Sequence, residues 1–424
     1  MKKDRAVITG LGVVSPIGTG VDAFWNAACK GTNGIAAITS FDTAGFRTNV
    51  GGEVKDFSPE AYLSAAQISS MGRSSQFAAA AAKMALADAK LDLSKDDPFR
   101  MGVSFGTTMG EPQVLEKGIE LLYKAKGSTD ALPQDLPSKY PCGVISANVA
   151  TAIGAAGPVI MIPTACAAGN YAIGYAFDLL CCGMADIMIA GGSDPISKIA
   201  FTGFNRLLAT AKESCKPFDK NRDGMAVGEG AGILVIESLS HAKKRNATIY
   251  AEVLGYGLGC DAFKMTIPDP SGSGGILSLR AALKNAEISA DAVDYVSAHG
   301  TGTEENDKTE TLIIKTVFGE RAKSLPVSSL KSMIGHTMGA ASAIEAAACA
   351  LTICRGTILP TINYSEHDPD CDLDYVPNTA RNAAVNVAVS NAYAFGGNTS
   401  TLVLGKLKNP APNGGDSSIT MENI

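Results

Sequence analysis

A glycine turn that opens an apolar strand occurs twice in this chain, and the repetition constrains the fold more than any other feature. Ala226-Val227-Gly228-Glu229-Gly230-Ala231-Gly232-Ile233-Leu234-Val235-Ile236 is echoed by Ala394-Phe395-Gly396-Gly397-Asn398-Thr399-Ser400-Thr401-Leu402-Val403-Leu404. A second pair keeps the same order. Ala85 to Leu91 followed by Val103-Ser104 matches Ala282 to Ile288 followed by Val296-Ser297. Self-similarity at long period implies a duplicated unit, and the first copy is longer by about 30 residues. That surplus is assigned to Thr107 to Ala150, as a pocket wall or dimer surface.

Between the matched pieces, Ala-rich helical patterns at Phe77 to Ala89 and Gly339 to Cys354 alternate with β runs at Val159 to Ile162 and Ile187 to Ala190. Such alternation signals α/β layering. Both helices are apolar nearly all round, which predicts burial on every side. With 46% hydrophobic and 18% charged residues, the composition suits a large core. Two packed halves are expected, residues 1–248 and 249–407, followed by a disordered tail over 408–424, where Asn409-Pro410-Ala411-Pro412-Asn413-Gly414-Gly415 has linker composition.

Several function classes are excluded. A net charge of −6 lacks the basic excess of a nucleic-acid binder. The start, Met1 to Gly10, is too short and Gly-interrupted for a signal peptide. Glu345 breaks the apolar run Ala341 to Cys354, so no transmembrane helix is expected and the location is read as cytoplasmic. The ten cysteines form no metal-like CxxC pair, which predicts reduced thiols and no metal site.

One cysteine stands apart. Thr164-Ala165-Cys166-Ala167-Ala168-Gly169 follows a β run and opens an apolar helix through Tyr171, Ile173 and Leu179. A thiol at a helix N-terminus meets the positive end of the dipole and free N–H groups, which predicts a lowered pKa and a good nucleophile. Two of the four histidines lie in Gly-rich settings that permit close ligand approach. They are His299, in Ala298-His299-Gly300-Thr301-Gly302-Thr303, and His336, in Gly335-His336-Thr337-Met338-Gly339 before an apolar helix. His241 and His367 read as surface positions. Cys166, His299 and His336 together suggest thioester chemistry at the joint of the halves.

These residues resemble the elongating β-ketoacyl-acyl carrier protein synthases, thiolase-like condensing enzymes, over about residues 4 to 407. Besides the Cys and His motifs, the resemblance rests on Pro217-Phe218-Asp219, Arg222-Asp223-Gly224, Gly228-Glu229-Gly230, Val327 to Ser332 and Asn391 to Gly397. It implies a duplicated αβαβα five-layer fold. It also implies that Cys166 takes an acyl group from a carrier-protein or coenzyme A thioester. His299 and His336 would then donate hydrogen bonds to a malonyl thioester as carbon dioxide leaves. The N–H groups of Cys166 and Phe395 would form an oxyanion hole. Lys331 would hold the site electrostatically near Glu345, Asp307 and Glu310. Phe395, with Gly396 and Gly397, matches the gate of the acyl pocket, Thr301 and Thr303 the pantetheine contacts, and Met109 a residue at the pocket's depth. No cofactor is implied beyond the 4′-phosphopantetheine arm of the acyl carrier protein.

The chain departs from the fatty-acid pattern in two places. Ala394 precedes Phe395 where glycine is usual, restricting the backbone freedom that glycine supplies to a moving loop, and Asn398-Thr399 replaces Thr-Asn. Around Met71-Gly72-Arg73 the basic cluster that grips the acidic carrier is reduced to Arg73, leaving Lys124, Lys126, Lys212 and Lys216 as a substitute patch. Three segments, Met71 to Phe77, Glu305 to Thr311 and Asp368 to Tyr375, are similar to ketosynthase subunits of aromatic or polyene polyketide systems. The dimer partner is therefore either a second copy or a homologous Cys-less chain-length subunit. A degradative thiolase would need a second Cys in Asn391 to Ser400, which has none. A Cys-His-Asn priming synthase is disfavoured by His336, and a noncatalytic chain-length subunit by the intact Cys166, His299, His336 and Lys331 set.

Overall fold

A computed structural model describes residues 4–408, so most of the tail expected over 408–424 lies outside the described residues. The first half runs β1 (Ala6–Ser15), α1 (Arg73–Ala89), β2 (Met101–Gly106), α2 (Pro112–Lys124), α3 (Gly143–Ile153), β3 (Val159–Ile162), α4 (Ala168–Cys181), β4 (Ile187–Asp194), α5 (Lys198–Arg206) and β5 (Gly230–Ser238). The second half runs β6 (Ala251–Cys260), α6 (Ser273–Asn285), β7 (Tyr295–Ser297), α7 (Glu304–Phe318), β8 (Val327–Ser328), α8 (Ala341–Arg355), β9 (Val387–Tyr393) and β10 (Asn398–Gly405).

The two halves repeat one topology. The strand order is β3-β2-β4-β5-β1 in the first and β8-β7-β9-β10-β6 in the second, joined where β1 meets β6 antiparallel. The strand senses repeat as well: β2 is parallel to β3 and β4, and β7 to β8 and β9. The remaining neighbours in both halves are antiparallel. The matched Gly-turn segments thus enter β5 and β10, and the second matched pair spans α1–β2 and α6–β7, the same stations in each copy.

The layers follow from where the apolar surface lies. Helices α4 and α8 pack on each other and reach strands of both halves. All-round burial of α8, from Ala341 to Ile353, is what an all-round apolar helix between two sheets requires. Although α8 with its preceding turn is long and apolar enough to cross a membrane, it is the central core helix here. Helix α1 covers the outer face of the first sheet with Phe77, Ala81 and Ala85, and α6 covers the second with Leu279 and Leu283.

The surplus of the first half is not a single insertion. Residues 107–142 connect β2 to α3, where residues 298–303 suffice in the second half, and residues 195–229 connect β4 to β5, where residues 394–397 suffice. A long second-half connection, residues 356–386 between α8 and β9, offsets one of these. A fourth difference, residues 16–72 between β1 and α1 against residues 261–272 between β6 and α6, lies before the matched segments and so escapes their spacing. A net count of residues conceals opposed differences, which is why one segment is expected from sequence and four are found.

Candidate active site

Duplication brings the two central helices together with their N-termini at one cavity. Cys166 lies in a 3-10 turn, Ala165–Ala167, leading into α4, and the equivalent turn before α8 is Met338–Ala340. Each turn opens with a non-glycine residue in the left-handed region, Ala165 at φ 51° and Met338 at φ 55°. Strain of this kind persists only where surrounding structure over-determines it, and it clusters at functional sites. The cavity of about 330 Å³ is lined by Cys166, His299, His336, Thr301, Thr303, Tyr393, Phe395 and Gly397.

The chemistry of each imidazole is fixed from behind. Lys331 is fully buried, and its Nζ lies 2.5 Å from Glu345 Oε1 and 3.3 Å from His299 Nδ1. An ammonium group only donates, so His299 Nδ1 accepts and its ring proton sits on Nε2. For His336 the backbone N–H of Met338 donates to Nδ1 at 3.1 Å, with the same result. Burial, then the Lys331 charge, hold both imidazoles well below the usual histidine range. Two neutral rings, 5.3 Å apart and nearly perpendicular, therefore each offer an Nε2–H donor.

Buried carboxylates hold the loop that carries His299. Glu310 accepts the N–H groups of His299 and Gly300, both at 2.8 Å, and burial raises its carboxyl to about 7. Asp307 accepts the N–H of Phe218 at 2.8 Å and of Gly302 at 3.3 Å, with Arg222 Nε 3.8 Å away. Glu345 is likewise raised to about 7 by burial, despite its pairing with Lys331. Gly300 and Gly302 both take positive φ here, and a Cβ on Gly300 would stand 2.5 Å from Ser329 Cβ. Thr301 and Thr303 face the cavity with their hydroxyl oxygens 2.8 Å apart.

The thiol differs from the sequence expectation. Burial pushes Cys166 up to about 12, against the lowering effects of the Lys331 charge and of the N–H groups of Phe395 and Cys166 itself. A helix terminus favours thiolate, but removal of water from a closed site weighs more. The same two N–H groups that point at the sulfur form the donor pair expected of an oxyanion hole.

At the mouth, Phe395 is 37% exposed and its ring lies 5.7 Å from the ring of Phe204. Gly396 and Gly397 take φ 87° and 84°, and Gly396 donates its N–H to the Met265 carbonyl at 2.7 Å. Met109 lies outside the cavity lining, its N–H 3.2 Å from Asp194. Arg73 is not available to a carrier: it pairs with Glu229 at 2.7 Å and stacks over Phe77. Lys124 and Lys126 are exposed on and just after α2, Lys124 in an ion pair with Glu120. Lys212 is exposed and Lys216 half-buried. Lys264, missed in the sequence, is exposed at the cavity mouth beside Leu208, Met265 and Ile267. His367 is exposed as expected, but His241 is half-buried between Glu237 and Asp96, which raise its pKa.

Two further residues at the site escape sequence reasoning. Asp194 ends β4 as a fully buried carboxylate, and Tyr393 ends β9 with its ring 5.8 Å from that of His299. For Asp194 the signal is a charged residue closing an otherwise uncharged buried strand, Ile187 to Ser193.

A duplicated, thiolase-like α/β fold with a buried thiol and two neutral histidine donors defines a condensing acyltransferase, an enzyme that forms carbon–carbon bonds. The comparisons place it further: residues 3–242 match the family described as Beta-ketoacyl synthase, N-terminal domain, and residues 250–365 match Beta-ketoacyl synthase, C-terminal domain. The chain belongs to the β-ketoacyl synthase family. It is 42% identical over 410 residues to 3-oxoacyl-[acyl-carrier-protein] synthase 2 of Staphylococcus aureus strain COL, covering 95% of this chain and 99% of the relative. To the protein of that name from Synechocystis it is 40% identical over 413 residues, covering 96% and 99%. Among solved structures, a chain of the ishigamide ketosynthase/chain length factor has TM-score 0.92 and 42% identity, covering 96% of this chain and all of that one. A chain from a type II PKS acyl-carrier protein complex with its ketosynthase bound to the hexaketide has TM-score 0.88 and 37% identity, with the same coverage.

Proposed function

We propose that this synthase elongates acyl chains carried on an acyl carrier protein, with Cys166 as acyl acceptor and His299 and His336 as donors for malonyl decarboxylation. The observation that carries the reading is the pair of Nε2–H donors, each fixed at Nδ1, beside one buried thiol. Cys166 Sγ attacks the acyl thioester, its proton passing to the departing carrier thiol. Malonyl carrier then enters through Thr301 and Thr303, and both Nε2–H groups bond its thioester oxygen. As the C–C bond to the carboxylate breaks, its electrons form an enolate that two neutral donors stabilise, and carbon dioxide leaves. The enolate carbon attacks the acyl-Cys166 carbonyl, whose oxygen is held by the N–H groups of Cys166 and Phe395. Collapse releases the β-ketoacyl carrier and the Cys166 thiolate, which is reprotonated.

Lys331 and Glu345 serve the donors electrostatically, Asp307 and Glu310 hold the His299 loop, and Phe395 with Gly396 and Gly397 gates the acyl pocket. The carrier docks at the mouth, where Lys264 stands among exposed apolar side chains. The only prosthetic group involved is the pantetheine arm that the carrier delivers. Pairing through the first half is supported by edge strand β3, where Val159 is 42% exposed. The similarity to a ketosynthase/chain length factor chain favours a homologous Cys-less subunit as partner. Co-purification with such a subunit tests this, and an active homodimer points to fatty-acid elongation instead. The setting is cytoplasmic.

Intact-mass measurement after incubation with acyl carrier protein tests the core of the reading. Wild type gains the acyl mass and Cys166→Ala does not, while condensation falls by on the order of 10³ or more. Condensation that survives Cys166→Ala would overturn it.

A further inference from the structure

Asp194 is 1% exposed and its carboxylate collects four donors from both halves. From the loop after β2 come the Thr107 hydroxyl at 2.7 Å, the Thr108 N–H at 2.8 Å and the Met109 N–H at 3.2 Å. From the second half comes the Gly339 N–H at 2.7 Å. Gly339 is the middle residue of the Met338–Ala340 turn, and the N–H of its neighbour Met338 is the donor that fixes His336 Nδ1. The approach leaves no room for a side chain. A Cβ on Gly339 would stand 2.7 Å from Asp194 Oδ2 and 2.6 Å from the Thr107 carbonyl carbon.

This contact explains how Met338 keeps a left-handed backbone that a methionine resists. If the turn relaxed, Nδ1 of His336 would lose its donor, and a ring protonated on Nδ1 would turn a lone pair toward the developing enolate. We propose that Asp194 is a positioning residue for decarboxylation, its carboxylate clamping the Met338–Ala340 turn so that His336 presents Nε2–H to the thioester oxygen. The inference rests on the role given to His336 above, and reaches it through backbone rather than through contact with substrate.

Asparagine in place of Asp194 keeps the shape but turns an amide N–H₂ toward groups that are themselves donors. Decarboxylation of malonyl carrier is measured in a Cys166→Gln background, which isolates that half-reaction. Asp194→Asn should lower kcat about tenfold or more with KM within about twofold, the pattern of an interaction made in the transition state. Added to His336→Ala, it should cost less than about twofold, because its effect runs through the imidazole already lost. A merely structural role predicts an undiminished second loss, and that result overturns the proposal, as does an unchanged kcat. Should Asp194→Asn fail to fold, Thr107→Val decides. It removes one donor to the same carboxylate, so kcat should fall with KM kept and Thr107→Ser should restore it; wild-type kcat in Thr107→Val sinks the idea. If His336→Ala itself leaves decarboxylation intact, the functional reading fails first, and separately.

Discussion

The first half of the molecule brings a thiol to the cavity and the second brings two imidazoles, although the thiol and one of the imidazoles depend on the same backbone device. In each, a left-handed residue starts a 3-10 turn that feeds a central helix, α4 or α8. Superposing the turns residue by residue sets Cys166 against Gly339. The first position holds a buried thiol; the second has no room for a side chain, because Thr107 and Asp194 press against it. His336 reaches the cavity from three residues upstream. Duplication thus supplied two facing helix ends, and divergence at one residue left a thiol at one end and, at the other, a bare backbone position bound to Asp194, beside the Met338 N–H that holds His336.

The halves also differ in how their site residues are held, and the largest predicted effect exploits this. Cys166 is a free thiol with no ion-pair partner among the described residues, so Cys166→Ala should unfold at nearly the wild-type midpoint. Lys331→Met instead strands Glu345 beside an apolar side chain in a fully buried site, and breaking a buried pair from one side costs about 3–5 kcal/mol. Lys331→Met/Glu345→Met should recover most of that stability without recovering decarboxylation. Chemical denaturation of the three variants checks it, and a double variant no more stable than the single would break the contrast.

A smaller effect separates the chemistry of the halves. In Cys166→Gln, where the first half can no longer accept an acyl group, malonyl decarboxylation should persist and depend wholly on the second half. Removing one preorganised donor, by His299→Ala or His336→Ala, should cost about 2.7–4 kcal/mol in the barrier, a factor of about 10²–10³ in kcat. Carbon dioxide release measures this directly. If Cys166→Gln abolishes decarboxylation, the division of labour between the halves is wrong.

Protonation gives the next test. His299 and His336 have folded pKa values below 6.5, so they bind fewer protons folded than unfolded, and their contribution is lost as pH falls below 6.5. Glu310 and Glu345 are raised to about 7, so their contribution runs oppositely: it is complete below the unfolded value near 4.5 and lost as pH rises through 7. The net slope therefore hides the histidines, but a difference isolates them. Relative to wild type, His299→Asn should remove a loss of about 1.4 kcal/mol per pH unit on the acid side of 6.5. Parallel stability profiles for the two proteins would show that His299 is not held neutral.

Much of this was legible in sequence because glycine and apolar runs write topology directly. The paired segments at Gly228 and Gly396 marked equivalent stations, and the all-apolar run of α8 announced a helix with no solvent face. Cys166, His299 and His336 were legible because each sits where a strand or loop meets a helix end. What stayed hidden depends on distance in sequence. Asp194 draws its donors from Thr107 and Gly339, and nothing local to it names either. The thiol was misjudged for the same reason: the helix end is a local signal, whereas the burial that outweighs it is assembled from both halves. Arg73 read as a free cation until Glu229, far along the chain, closed on it.

The smallest prediction compares the ends of two equivalent strands. Asp194 closes β4 with four donors bound to its carboxylate, while Tyr393 closes β9 with a buried hydroxyl that has no hydrogen-bond partner among the described residues. Burial raises this phenol well above its ordinary range, Glu310 and Asp261 adding to the shift, so it remains neutral and unpaired. A buried polar group left unsatisfied costs about 1–3 kcal/mol, whereas its apolar isostere carries no such penalty. Tyr393→Phe should therefore be at least as stable as wild type, by up to about 1 kcal/mol, because the ring keeps its packing against His299. Thermal and denaturant midpoints read this outcome. A loss of stability would mean that the hydroxyl is bonded in solution, and that the two strand ends are satisfied alike.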